Sequence, residues 1–121
     1  MATETRYHLD ALPSWEARPT GRADAVGSPP EGVVWWSGTK THPEPPKIGA
    51  HVRINFNSLG AGVVSGYFVE YGWLGVYVKL NHPPDWWKKQ NLGESATEKQ
   101  KDRARRLGAM VFGAELEKKG E

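Results

Sequence analysis

The chain has 121 residues and a net charge of +2, so it holds one small domain with tails, and its charge permits an anionic partner without arguing for one. Only 38% of its residues are apolar and the mean hydropathy is −0.62, which leaves a modest core, and no apolar run approaches the roughly 20 residues a membrane span needs. There is no cysteine, which excludes disulfides and thiolate metal sites.

The opening stretch, "MATETRYHLDALPSWEARPTG", lacks a basic start followed by an apolar run. No signal peptide is expected, and a reducing cytoplasm is the expected location. Residues 1–47 hold seven of the nine prolines, with five basic against six acidic side chains. Proline fixes φ and removes a donor, so clusters such as "GSPPEG" and "THPEPPKIG" resist regular ladders. Residues 1–32 therefore read as an extended, partly disordered arm. Two ordered islands are expected in this region: Tyr7–Leu9 with Trp15, and "GVVWWSG", where Val33, Val34, Trp35 and Trp36 suit a short strand. At least one tryptophan of that pair is expected to cover the core.

"IGAHVRINF" alternates, with Ile48, Ala50, Val52, Ile54 and Phe56 on one side and His51, Arg53 and Asn55 on the other. That period of two predicts a strand with one buried face. "NSLG" predicts a turn. "GVVSGYFVEY" predicts a second strand, with Gly66 marking a bend or bulge. "GWLG" predicts the next turn and "VYVKL" a third strand, with Val76, Val78 and Leu80 inward and Tyr77 and Lys79 outward. Such strands, turns and kink glycines describe a small, strongly bent antiparallel sheet or barrel. "NHPPDWWKKQN" ends the sheet; Asp85 can cap a helical turn carrying Trp86 and Trp87 as a plug over one open end. "SATE" fits a capping box, with Ser95 as cap and Glu98 reaching back, and predicts a helix over 95–107. Ala104, Leu107, Val111 and Ala114 fall on one helical face, but a break at Gly108 would make "AMVFGAEL" a further strand. Both readings stay open for 108–117.

"IGAHVRINFNSLGAGVVSGYF" resembles the pattern of SH3-like small barrels of the KOW type. A glycine precedes a β-branched strand, and "GxGxV" opens the next: Gly49, Val52 and Ile54, then Gly60, Gly62 and Val64. The resemblance implies an SH3-like barrel over 33–92, followed by a C-terminal helix and tail over 93–121. A second likeness is to the plasmid-borne type B dihydrofolate reductases, carried by Gly49, Val52–Arg53, Gly62 to Gly66–Tyr67, and His82–Pro83. Those enzymes line a tetramer pore with "VQIY". The nearest segment here, "GVYVKL", lacks the glutamine.

None of His8, His42, His51 and His82 lies three to five residues from another, so no metal site is expected. Glu70 either alternates outward or is a buried carboxylate in an apolar strand. Ser37, Ser58 and Ser65 have no nearby histidine and acid, and no catalytic residue or cofactor is expected. Tyr67, Tyr71, Trp73, Tyr77, Trp86 and Trp87 crowd one stretch. Outward aromatics beside cations suit base stacking or a protein contact; otherwise such rings pack a core or a subunit contact. "EKQKDRARR" stacks Lys101 on Arg105 and Lys99 on Arg103 at i,i+4, with Asp102 and Arg106 as the offsetting pair. Phosphate would relieve that repulsion.

These residues predict a non-enzymatic binding module. Nucleic acid is the first partner, contacted by Arg53, Tyr67, Tyr77, Lys79, Lys88, Lys89, Lys101, Arg103, Arg105 and Arg106. A protein-interaction adaptor or inhibitor, of a size and type found among phage and mobile-element proteins, is the alternative. No membrane partner is expected, and oligomerisation stays open.

Overall fold

The computed structural model describes residues 7–18, 31–38, 42–55 and 59–116. Among these residues the fold is mainly β, with seven strands in one mixed sheet and two helices. The strands are β1 (Tyr7–Leu9), β2 (Trp15–Arg18), β3 (Val34–Ser37), β4 (His51–Ile54), β5 (Gly60–Glu70), β6 (Trp73–Leu80) and β7 (Ala109–Phe112). Helices α1 (Asp85–Leu92) and α2 (Glu98–Arg106) lie between β6 and β7, and a 3-10 turn at Gly113–Glu115 follows β7.

The long β5–β6 hairpin is the spine. β5 pairs antiparallel with β4 over its first residues and with β1 over its last; β6 pairs with β7 and, at Trp73, with β3. The ladders do not close into a ring; one antiparallel bridge joins Ile54 of β4 to Leu116. Two pairings differ from the expected all-antiparallel arrangement. β2 runs parallel to β3, and β3 parallel to β6. A parallel neighbour requires a long connection, which residues 19–33 supply between β2 and β3. The N-terminal region thus contributes two strands at Tyr7–Leu9 and Trp15–Arg18, and the sheet extends beyond 33–92 on both sides.

The main core gathers Val52, Ile54, Val76 and Val78 with Trp36, Val64, Tyr67, Leu74, Trp87 and Val111. The alternation expected in β4 holds for Val52 and Ile54, which are buried, and for His51 and Arg53, which are exposed. It fails at Ile48, which is exposed, because Gly49 (φ +95) turns the chain before the strand begins. Phe56 lies outside the described residues, as do the first two residues of the expected "NSLG" turn.

The expected irregularity near Gly66 is present: the β5–β6 register shifts between Val64 and Gly66, at Ser65. One extra residue inverts the facing of everything after it. Val64 points into the main core, and beyond the bulge so do Tyr67 and Val69, whereas Phe68 faces the other side. The Ser65 hydroxyl donates to the Leu107 carbonyl at 2.6 Å, which ties the end of α2 to the bulge. On the second face Phe68, Tyr77 and Leu107 form a smaller cluster with Met110 and Phe112. Gly75 leaves the space that the Phe68 ring fills, and the His8 ring of β1 covers Gly66.

The β5–β6 turn falls at Tyr71–Gly72, ahead of the expected "GWLG". Both residues have positive φ, 55° and 84°, as a two-residue I′ hairpin requires. Tyrosine is a poor residue for that conformation, and Tyr71 is 58% exposed, so little packing offsets the strain. Tyr71→Asn is expected to raise stability by about 1 kcal/mol. A urea midpoint that falls instead would contradict this turn geometry.

α2 starts two residues later than the expected cap. Thr97 accepts from the Gln100 amide at 3.0 Å, and the Gln100 side chain accepts from the Thr97 amide at 2.8 Å. Ser95 lies instead in a turn in which the Ala96 amide donates to the Gly93 carbonyl. The helix ends at Arg106 and the chain turns at Gly108, so Val111 is buried in a strand and Ala114 is exposed. Among the described residues no helix is long and apolar enough to cross a membrane.

Candidate functional site: a cationic groove between the two helices

The prolines before α1 end the sheet, and Asp85 sits in the helix's first turn without capping it. Trp87 inserts into the main core, as expected of a plug. Trp86, one position round the helix, keeps 41% exposure. Gln90 and Asn91 follow these tryptophans at i+4 and share their faces. On α2, Gln100 and Arg103 are neighbours at i,i+3. An open groove of about 250 Å³ lies between these side chains, with Leu59 and Gly108–Met110 completing its lining. It is smaller than the roughly 300–1,000 Å³ of sites for drug-sized ligands, so it suits one planar group better than a large cofactor.

The lining holds one cation, three carboxamides and two indoles, and no described carboxylate. The buried Arg103 Nε has no hydrogen-bond partner among the described residues. A buried donor left without an acceptor costs about 1–3 kcal/mol. Two of the amides are already oriented. Asn91 Nδ2 donates to the Trp87 carbonyl at 3.0 Å, which leaves Oδ1 as an acceptor. Gln100 Oε1 is engaged by the Thr97 amide, which leaves Nε2 as a donor.

The residues expected to form a binding surface are distributed differently. Tyr67 is 2% exposed and belongs to the main core, because the bulge turned it inward. Its hydroxyl donates to the Pro46 carbonyl at 2.8 Å, and burial pushes its pKa up. Tyr77 does lie on the face opposite Val76 and Val78, but that face is covered. Its exposure is also 2%, against Phe68 and with the His8 ring 5.7 Å away. Neither tyrosine offers a stacking surface. Arg53 and Lys79 are exposed on the sheet; Lys79 shares a cross-strand row with Val63 and His51, and Arg53 lies opposite Ala61. Gly108 packs on the backbone of Val78 and Lys79, so β6 borders the groove. Lys88, Lys89, Arg105 and Arg106 are exposed on the helices. Lys88 pairs with Asp85 and Lys101 with Glu98, each at 3.6 Å, and Arg106 pairs with Asp102 at 3.1 Å. Of the ten expected contact residues, only Arg103 lines the groove.

Sequence reasoning missed Gln90, Asn91 and Gln100 as site residues, and it placed Trp86 in the aromatic set without carrying it into the ten contact residues. The available signal was "WWKKQN", which repeats a polar pair one turn after an aromatic pair, followed by "QKDR" on the next helix.

Glu70 is half-exposed at the hairpin end. Burial lowers the pKa of His42, which favours its neutral form. Among the described residues no three histidine or carboxylate side chains group to hold a metal ion. No family model, no curated protein and no solved structure matches the chain.

Proposed function

We propose that this chain is an SH3-like small barrel acting as a non-enzymatic module that binds nucleic acid. The barrel reading is supported by the order β4, β5, β6, β7 as consecutive antiparallel neighbours, and by the 3-10 turn after β7 that returns the chain to β4 at the Ile54–Leu116 bridge. The observation that carries the functional reading is the groove, which has no carboxylate among its described lining residues. It holds the Arg103 guanidinium, whose buried Nε has no partner among the described residues, between two helices whose outer surfaces display Lys88, Lys89, Arg105 and Arg106. An anionic polymer would supply acceptors to the first and displace counterions from the rest.

Fluorescence polarisation with labelled oligonucleotides tests this. Binding at about 50 mM salt should weaken steeply toward 200 mM, and each engaged cation adds about −0.7 to −0.9 to the logarithmic slope. The double variant Lys89→Gln, Arg105→Gln should flatten that slope by about 1.5. No binding to either single or double strands at the low-salt end would end the proposal.

The hairpin tip favours a second reading, a protein-interaction adaptor. Tyr71 is exposed and held in a backbone conformation that tyrosine rarely adopts. Such local strain is characteristic of contact residues.

A further inference from the structure

Resting on the nucleic-acid reading, we infer that the groove seats one unpaired nucleotide, its base against Trp86 and its phosphate on Arg103, so that the preferred ligand is single-stranded. Four observations converge on this class of ligand. The volume admits one planar group. Trp86 lines the groove with 41% of its surface exposed, which supplies an indole for a base to cover. Arg103 brings a cation whose buried Nε has no partner among the described residues. The carboxamides present both signs of hydrogen bond, an acceptor at Asn91 Oδ1 and a donor at Gln100 Nε2.

That last point separates a nucleotide from a simple anion. A phosphodiester or a carboxylate only accepts, and an amide oxygen beside it repels it. The edge of a nucleobase carries donors and acceptors together and uses both amides. A base held in a duplex cannot enter, because its edge is paired and its faces are stacked. The ligand must present an unstacked base.

The test uses the full chain with a labelled single-stranded oligonucleotide, its duplex, a mixture of nucleoside 5′-monophosphates, and inorganic phosphate. The single strand should bind at least tenfold tighter than the duplex. Trp86→Ala and Arg103→Gln should each weaken single-strand binding by about tenfold or more, and weaken duplex binding by less. Trp86→Phe, which retains a ring, should keep most of the affinity and gives a readout if the alanine variant is less stable. Monophosphates should compete and inorganic phosphate at equal concentration should not.

Equal binding of both strand forms, unaffected by Trp86→Ala, would overturn the groove assignment while the module still binds nucleic acid. Monophosphate binding lost in Trp86→Ala, with no binding of any oligonucleotide, would keep the groove and overturn the module. Competition by inorganic phosphate as strong as by nucleotides would reduce the groove to an anion site and sink the inference.

Discussion

Gly108→Ala is expected to destabilise the fold by about 3 kcal/mol, a large part of the roughly 5–15 kcal/mol that holds a domain together. Two costs add at this position. Its φ of +93° lies in the left-handed region, where a side chain costs about 1–2 kcal/mol. An added Cβ would also press on the Val78 carbonyl and lie 2.8 Å from the Lys79 Cα. Those are backbone atoms of β6, which is paired on both edges and cannot retreat. Overpacking of this kind costs about 1–3 kcal/mol. The close approach also has a purpose in the fold. The Gly108 amide donates to the Ala104 and Arg103 carbonyls, which closes the end of α2, and the next residue pairs with Val78 to begin β7. A urea midpoint shift worth less than about 1 kcal/mol would show that this corner is looser than described.

Trp36→Ala should cost about 3–5 kcal/mol and lower the melting temperature by about 10 °C or more. Trp36 is fully buried in the main core and heads the largest buried side chains. Its indole NH donates to the His42 carbonyl at 3.2 Å, and its ring lies over Gly113, where an added Cβ would meet it at 2.8 Å. The neighbourhood is built around this ring, so its removal leaves a cavity in the main core. The contrast is Trp86→Ala, expected to cost far less because Trp86 is not in the core. Equal losses in the two variants, measured by thermal denaturation, would contradict the partition between structural and site tryptophans.

Local chemistry made much of this legible. Val52 and Ile54 against His51 and Arg53 is a strand read directly from alternation. "TEKQ" is a capping box as good as "SATE", and only the competing turn at Gly93–Ala96 decides between them. At least one tryptophan of the Trp35–Trp36 pair is expected to cover the core, and Trp36 lies in the main core. The misread positions share one cause, a distant neighbour. Tyr67 changed faces through a bulge whose serine is anchored by Leu107, forty-two positions on. Tyr77 kept its expected face, but β1 and the end of α2 cover it.

Composition and periodicity alone therefore determined a mainly β chain with two helices late in the sequence, a kink near Gly66 and exposed cations on strand and helix. These follow from dihedral preference, capping and the two-residue repeat, all of which act between near neighbours. Tertiary contacts alone set which aromatic rings are wet, that β2 and β3 run parallel, and that Arg103 and Trp86 line one groove. Burial depends on what arrives from elsewhere in the chain, and no repeat within one strand or helix encodes that arrival.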